Sequence, residues 1–222
     1  MREPSLDASV GRWLFCGDES ARDVLIQPVS AQTTAPLEEE AEAIRALAPG
    51  RPFALAVLPV EDWNRELSPW EAPPVFGREA FGAGAPDTLS RIEEELIPAL
   101  GGDRRVYLGG YSLAGLFSLW AAYRTARFSG VAAVSPSVWF PGWDRFIREN
   151  RCLCPRVYLS LGDREARTRN KTMAQVAGRI RLQEEILSGS ADCVLEWNPG
   201  NHFFEPELRT ARGFAWLLNR QA

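Results

Sequence analysis

The chain has 222 residues, enough for one domain with a substantial core and too few for two comfortable ones. Apolar residues make up 45% and charged residues 24%, the balance of a globular protein, and no run of some 18 apolar residues is present to span a bilayer. The net charge of −4 argues against a nucleic-acid surface, which needs a concentrated basic face, so no nucleic-acid and no membrane partner is expected.

The opening segment, Met1 to Asp7, lacks the apolar core of a signal peptide, and a cytoplasmic location is the expectation. Residues 12–16 and 24–27 read as two short strands, separated by the polar Gly17-Asp18-Glu19-Ser20 turn. Leu37, Ala41, Ile44 and Leu47 recur at helical spacing over 37–47, and Pro49-Gly50 ends that helix. Residues 53–58 form a continuous apolar run that suits a buried parallel strand. The stretch from Pro59 to Pro86 is rich in proline and aromatic residues, and reads as an ordered loop that lines something. Leu89, Ile92, Leu96, Ile97 and Leu100 then mark one face of a helix over 88–100.

A strand at 105–109 follows and runs into Gly109-Gly110-Tyr111-Ser112-Leu113-Ala114-Gly115, after which an apolar helix continues to about Arg124. A strand that turns abruptly into a helix with serine at the corner is the pattern G-x-S-x-G of a nucleophile elbow. The spacing has a steric cause, because the serine sits in a strained turn and the residues two before and two after it press against neighbouring backbone; Gly110 and Ala114 occupy those places. Further strands are expected at 131–134, 156–161 and 193–197, and helices at 143–149, over 173–187 and at 206–219. Strands alternating with helices imply a mostly parallel sheet covered on both faces, with its site beyond the carboxyl ends of the strands. The loops after residues 28, 58, 110, 135, 162 and 197 are therefore where chemistry is sought.

Serine needs a base, and the base an orienting acid. The chain has one histidine, His202, in the loop between the last strand and the last helix. Asp163 and Glu165 follow the strand at 156–161; Glu165 is preferred as the acid because it can curl back toward the histidine, and Asp163 is the runner-up. An oxyanion needs two backbone N–H donors, one from the residue after the nucleophile and one from the loop after an earlier strand. Leu113 supplies the first; Pro28 has no N–H, so Val29 is the best candidate for the second and Ser30 the next. Trp63, Trp70, Trp139 and Trp143 fall in rim loops and, with Tyr111, are candidates to wall an acyl or alcohol pocket, although packing explains tryptophans there equally well.

Four cysteines, Cys16, Cys152, Cys154 and Cys193, lie in or beside apolar runs without a C-x-x-C and read as buried thiols; with one histidine a zinc site is not expected. Lys171 is the single lysine, which weakens any Schiff-base or serine–lysine mechanism. No cofactor is called for.

The serine, acid and histidine motifs together resemble an α/β-hydrolase, and more closely the branch that includes esterase D, feruloyl esterases and enterochelin esterases. Glu66-Leu67-Ser68-Pro69 is similar to that branch's acidic-apolar-Ser/Thr-Pro segment after a strand. Ala114 stands where the family usually has glycine, and Glu165 where it often has aspartate; no large cap domain is evident. The resemblance implies a serine esterase acting on a small-molecule ester, with thioester, lactone or acyl-transfer chemistry open. The alternative is a catalytically silent hydrolase-fold binding protein. Substrate identity and oligomeric state are not legible in the sequence.

Overall fold

A computed structural model describes residues 13–18, 20–31 and 37–220. Arg12, Glu19 and the Met1 to Asp7 segment, on which parts of the reading above fall, lie outside the described residues.

The elements follow the expected alternation. The strands are β1 (Leu14–Gly17), β2 (Asp23–Ser30), β3 (Phe53–Val60), β4 (Arg105–Tyr111), β5 (Gly130–Val134), β6 (Arg156–Gly162) and β7 (Asp192–Asn198). They form one sheet in the order β1-β3-β2-β4-β5-β6-β7, in which β1 pairs antiparallel with β3 and every other pairing is parallel. Side chains of a strand alternate between faces, so each strand feeds two cores. Val24 and Ile26 pack on one face, under α5 (Leu113–Ala122), α3 (Ala85–Arg91) and α7 (Val176–Leu187). Leu25 and Val29 pack on the other, under α1 (Leu37–Leu47) and α8 (Pro206–Asn219). All ten residues of α5 are buried, which explains why the helix after the serine is apolar all round rather than along one stripe.

Two departures from the sequence reading have local causes. The helix expected over 88–100 starts earlier, at Ala85, and is interrupted by a π-helical turn, Ile92–Leu96, before α4 (Ile97–Leu100). Pro98 lacks an N–H and its ring crowds the preceding turn; widening that turn, with the Ile97 N–H donating to Ile92 O, lets the chain continue. The loop expected from Pro59 to Pro86 holds one short helix, α2 (Trp63–Glu66), whose first turn is capped by the Asp62 carboxylate accepting from Arg65 N at 3.0 Å. An isolated bridge between Ala72 and Phe81 closes the remainder.

The tryptophans of the rim divide. Trp143 is fully buried and donates to Gln183 Oε1 at 3.0 Å. Trp70 donates to Pro141 O at 2.8 Å and stacks on Trp143 with centroids 6.4 Å apart. Trp139 packs edge-on against Phe76. These three hold the loops down on the sheet. Cys16, Cys152 and Cys154 are buried free thiols and Cys193 is half-buried. No helix among the described residues is long and apolar enough to cross a membrane. The remaining helix, α6 (Trp143–Glu149), closes the α7 side.

Candidate active site

Ser112 sits between β4 and α5 with φ 60° and ψ −117°, a conformation that L-residues avoid and that surrounding structure must enforce. The enforcement is visible in the small residues around it. A Cβ on Gly110 would come within 2.6 Å of the Ala114 Cβ, and one on Gly115 within 2.9 Å of the Gly110 carbonyl oxygen. Ala114 fits because Gly110 leaves its methyl room. Ser112 N donates to Val134 O at 3.0 Å and Ser112 O accepts from Ser137 N at 3.0 Å, so the corner is pinned to β5 and the loop after it.

His202 Nε2 lies 3.0 Å from Ser112 Oγ, and His202 Nδ1 lies 2.7 Å from Glu165 Oε2. Three residues separated by up to 90 positions thus meet at the carboxyl edge of the sheet. Glu165 approaches the ring, whereas Asp163 does not; its Oδ1 accepts from Gly200 N at 2.8 Å. With Asp163 N donating to Asn198 O at 2.8 Å and Arg164 N to Gly200 O at 3.0 Å, the loop after β6 is laced to the loop that carries His202.

The Glu165 carboxylate is nearly enclosed. Oε1 accepts from Gly162 N, Ser135 Oγ and Arg209 Nη2, each at 2.7 Å, while Oε2 faces the imidazole. Burial, the largest influence, pushes its pKa up, but the hydrogen bonds and charges of His202, Arg209 and Ser135 outweigh it and hold the group at about 2. An ionised carboxylate can only accept, so Nδ1 carries the ring proton and Nε2 presents a lone pair to the serine hydroxyl.

Arg209 and Ser135 are the residues sequence reasoning missed. Arg209 is 1% exposed on α8; it also donates to Tyr111 Oη at 2.9 Å and to Ser135 Oγ. Its signal was a charged residue on the same helical stripe as the buried Gly213 and Leu217. Ser135, at φ 43°, carries no sequence signal beyond its place at the end of β5. Tyr111 donates to the His202 carbonyl at 2.6 Å, and burial pushes its hydroxyl up to about 12, keeping it neutral.

A cavity of about 240 Å³ opens beside Ser112. Tyr111 and Trp63 line it; Trp70, Trp139 and Trp143 are not among its walls. The end of β2 forms another wall. Ala31 N donates to Val60 O at 3.0 Å, and successive amides of a parallel strand point to opposite neighbours, so the Val29 amide is turned toward β3. The amide on the β4 side is that of Ser30. Leu113 is the first residue of α5, where amides lack intrahelical acceptors.

No family model and no curated protein matches this chain in sequence. Solved structures match it closely in shape. The siderophore hydrolase EstA from Aspergillus nidulans shares 19% identity at a TM-score of 0.73, covering 95% of this chain and 91% of its own. An IroE-like serine hydrolase from Shewanella oneidensis shares 15% identity at a TM-score of 0.74, covering 93% of this chain and 75% of its own. The enterobactin esterase FES from Shigella flexneri shares 15% identity at a TM-score of 0.67, covering 93% of this chain and 55% of its own. Identities this low speak for fold: the chain has the α/β-hydrolase fold, with esterases among its structural neighbours.

Proposed function

We propose that this α/β-hydrolase-fold chain is a cofactor-independent serine esterase that cleaves a small carboxylic ester through an acyl-enzyme on Ser112. The observation that carries the reading is the unbroken line Ser112 Oγ, His202, Glu165, with contacts of 3.0 and 2.7 Å. Ser112 Oγ attacks the acyl carbonyl while Nε2 takes its proton. The imidazolium so formed lies against an ionised Glu165, whose charge stabilises it and whose position fixes the ring. The amides of Leu113 and Ser30 receive the oxyanion; Ser30 replaces Val29 in this role because the ladder points the Val29 amide to β3. His202 returns the proton to the leaving alcohol, and water, activated by the same nitrogen, releases the acid.

Arg209 and Ser135 are positioning residues: they hold Glu165 ionised and oriented without touching the substrate. Thioesters and lactones enter the same mechanism with a different leaving group, and acyl transfer with a different acceptor. One neighbour is named a siderophore hydrolase and another an enterobactin esterase, which makes a siderophore ester one class to include among substrates. Steady-state hydrolysis of short p-nitrophenyl esters tests the reading. Turnover by the wild type that falls by at least ~10³-fold in Ser112→Ala and His202→Ala supports it; turnover that survives Ser112→Ala in folded protein defeats it.

A further inference from the structure

The cavity beside Ser112 has a second chemical end that ester cleavage does not use. Glu40 stands on the inward face of α1, between Leu37 and Ile44, where helical periodicity calls for an apolar residue. It is 3% exposed, and among the described residues the Gln27 amide, donating at 3.2 Å, is its one hydrogen-bond donor. Its other oxygen, Oε1, has no partner among the described residues, and neither has Gln27 Oε1, on a side chain 6% exposed. Both residues line the cavity, as does Glu207 from the start of α8. No described lining residue is basic. Buried acceptors without donors are costly, and such groups are ordinarily satisfied.

We propose that this end of the cavity binds a primary ammonium group carried by the substrate, with Glu40 as its counter-charge and the Gln27 carbonyl as a second acceptor. The inference rests on the esterase reading for the reaction but not for the binding. An ammonium brings three donors and one positive charge to a place that holds two orphaned acceptors and two acidic side chains. A neutral acceptor group would leave Gln27 Oε1 unpaired, and an anion would meet Glu40 and Glu207. Burial, with a smaller contribution from Glu207, pushes Glu40 up to about 8, so a cation beside it is what favours its charged form. The space fits a short chain: about 240 Å³ holds on the order of eight waters. The preferred ester therefore has its ammonium a few bonds from the scissile carbonyl.

The test uses two matched pairs of esters, p-nitrophenyl 6-aminohexanoate against the heptanoate and 4-aminobutyl benzoate against pentyl benzoate. The expected result is a kcat/KM at least ~10-fold higher for the ammonium ester in one pair, with that ratio falling toward one in Glu40→Gln. A ratio at or below one in both pairs, or a ratio that Glu40→Gln leaves intact, overturns the proposal. Should Glu40→Gln not fold, competition in the wild type decides: n-butylammonium inhibits hydrolysis of the neutral ester more strongly than 1-pentanol, and equal or weaker inhibition overturns the proposal. If neither pair is hydrolysed at all, the esterase reading fails separately. Ligand-detected NMR of n-butylammonium with Ser112→Ala then still tests the site; saturable binding supports it and its absence refutes it.

Discussion

Two buried glutamates serve the same site, one behind His202 and one in the wall of the cavity beside Ser112, and their surroundings shift them in opposite directions. Glu165 accepts from Gly162, Ser135 and Arg209 and faces His202, and is held ionised at about 2. Glu40 receives one donor among the described residues, from Gln27, and burial pushes it up to about 8. Burial alone raises both. What separates them is the number of donors and the nearby cation, so an acid's role in this fold is set by its neighbours more than by its depth.

The sharpest way to break that contrast is to neutralise Glu165. Glu165→Gln keeps the shape but favours the wrong ring tautomer, and kcat for a p-nitrophenyl ester is expected to fall by ~10³- to 10⁴-fold. Next in size is Arg209→Met, which leaves Glu165 with less compensation. Stability is expected to drop by about 3–5 kcal/mol in urea titration, and kcat to fall while KM for the ester changes little. Arg209→Lys should recover little of either, since one ammonium cannot reach Tyr111, Ser135 and Glu165 together.

A smaller effect lies in the pH dependence of stability, where the two acids have opposite signs. Glu165 has a folded pKa below the usual 4.5, so its stabilisation is present above pH 4.5 and is lost as pH falls toward about 2. Glu40 has a folded pKa above 4.5, so the folded chain binds the extra proton and loses stability as pH rises from 4.5 to about 8. Denaturation curves across this range should therefore show Glu40→Gln gaining on the wild type as pH rises toward 8, with little difference near pH 4; a constant offset contradicts the assignment. The smallest change expected is from Asp163→Asn. Its carboxylate is exposed and acts on a loop amide, so kcat should stay within about threefold of wild type.

Much of the contrast was legible in the sequence on one side only. The elbow, the solitary His202 and Glu165 each sit just past a strand's carboxyl end, where parallel topology collects chemistry, and their spacing along the chain shows it. The preference for Glu165 over Asp163 followed from reach: the first can fold back to the ring, while the second is spent on Gly200 N. What stayed hidden depends on direction rather than order. Val29 was chosen as an oxyanion donor because proline excluded its neighbour, but which way an amide points is a property of the ladder. Trp70, Trp139 and Trp143 look like pocket walls in sequence and are packing in space, since rim position does not say which way a ring turns. Arg209 and Glu40 were readable in retrospect: each is a charge on the buried stripe of an amphipathic helix, a pattern that calls for a partner elsewhere in the fold.

The central claim is that Ser112 is a nucleophile activated by His202. Incubating the folded protein with a fluorophosphonate and mapping the adduct by mass spectrometry tests it most directly. One adduct on Ser112, absent in Ser112→Ala and slowed by at least ~10²-fold in His202→Ala, is the predicted result; no adduct on a correctly folded wild type, or labelling that ignores the histidine, would contradict it.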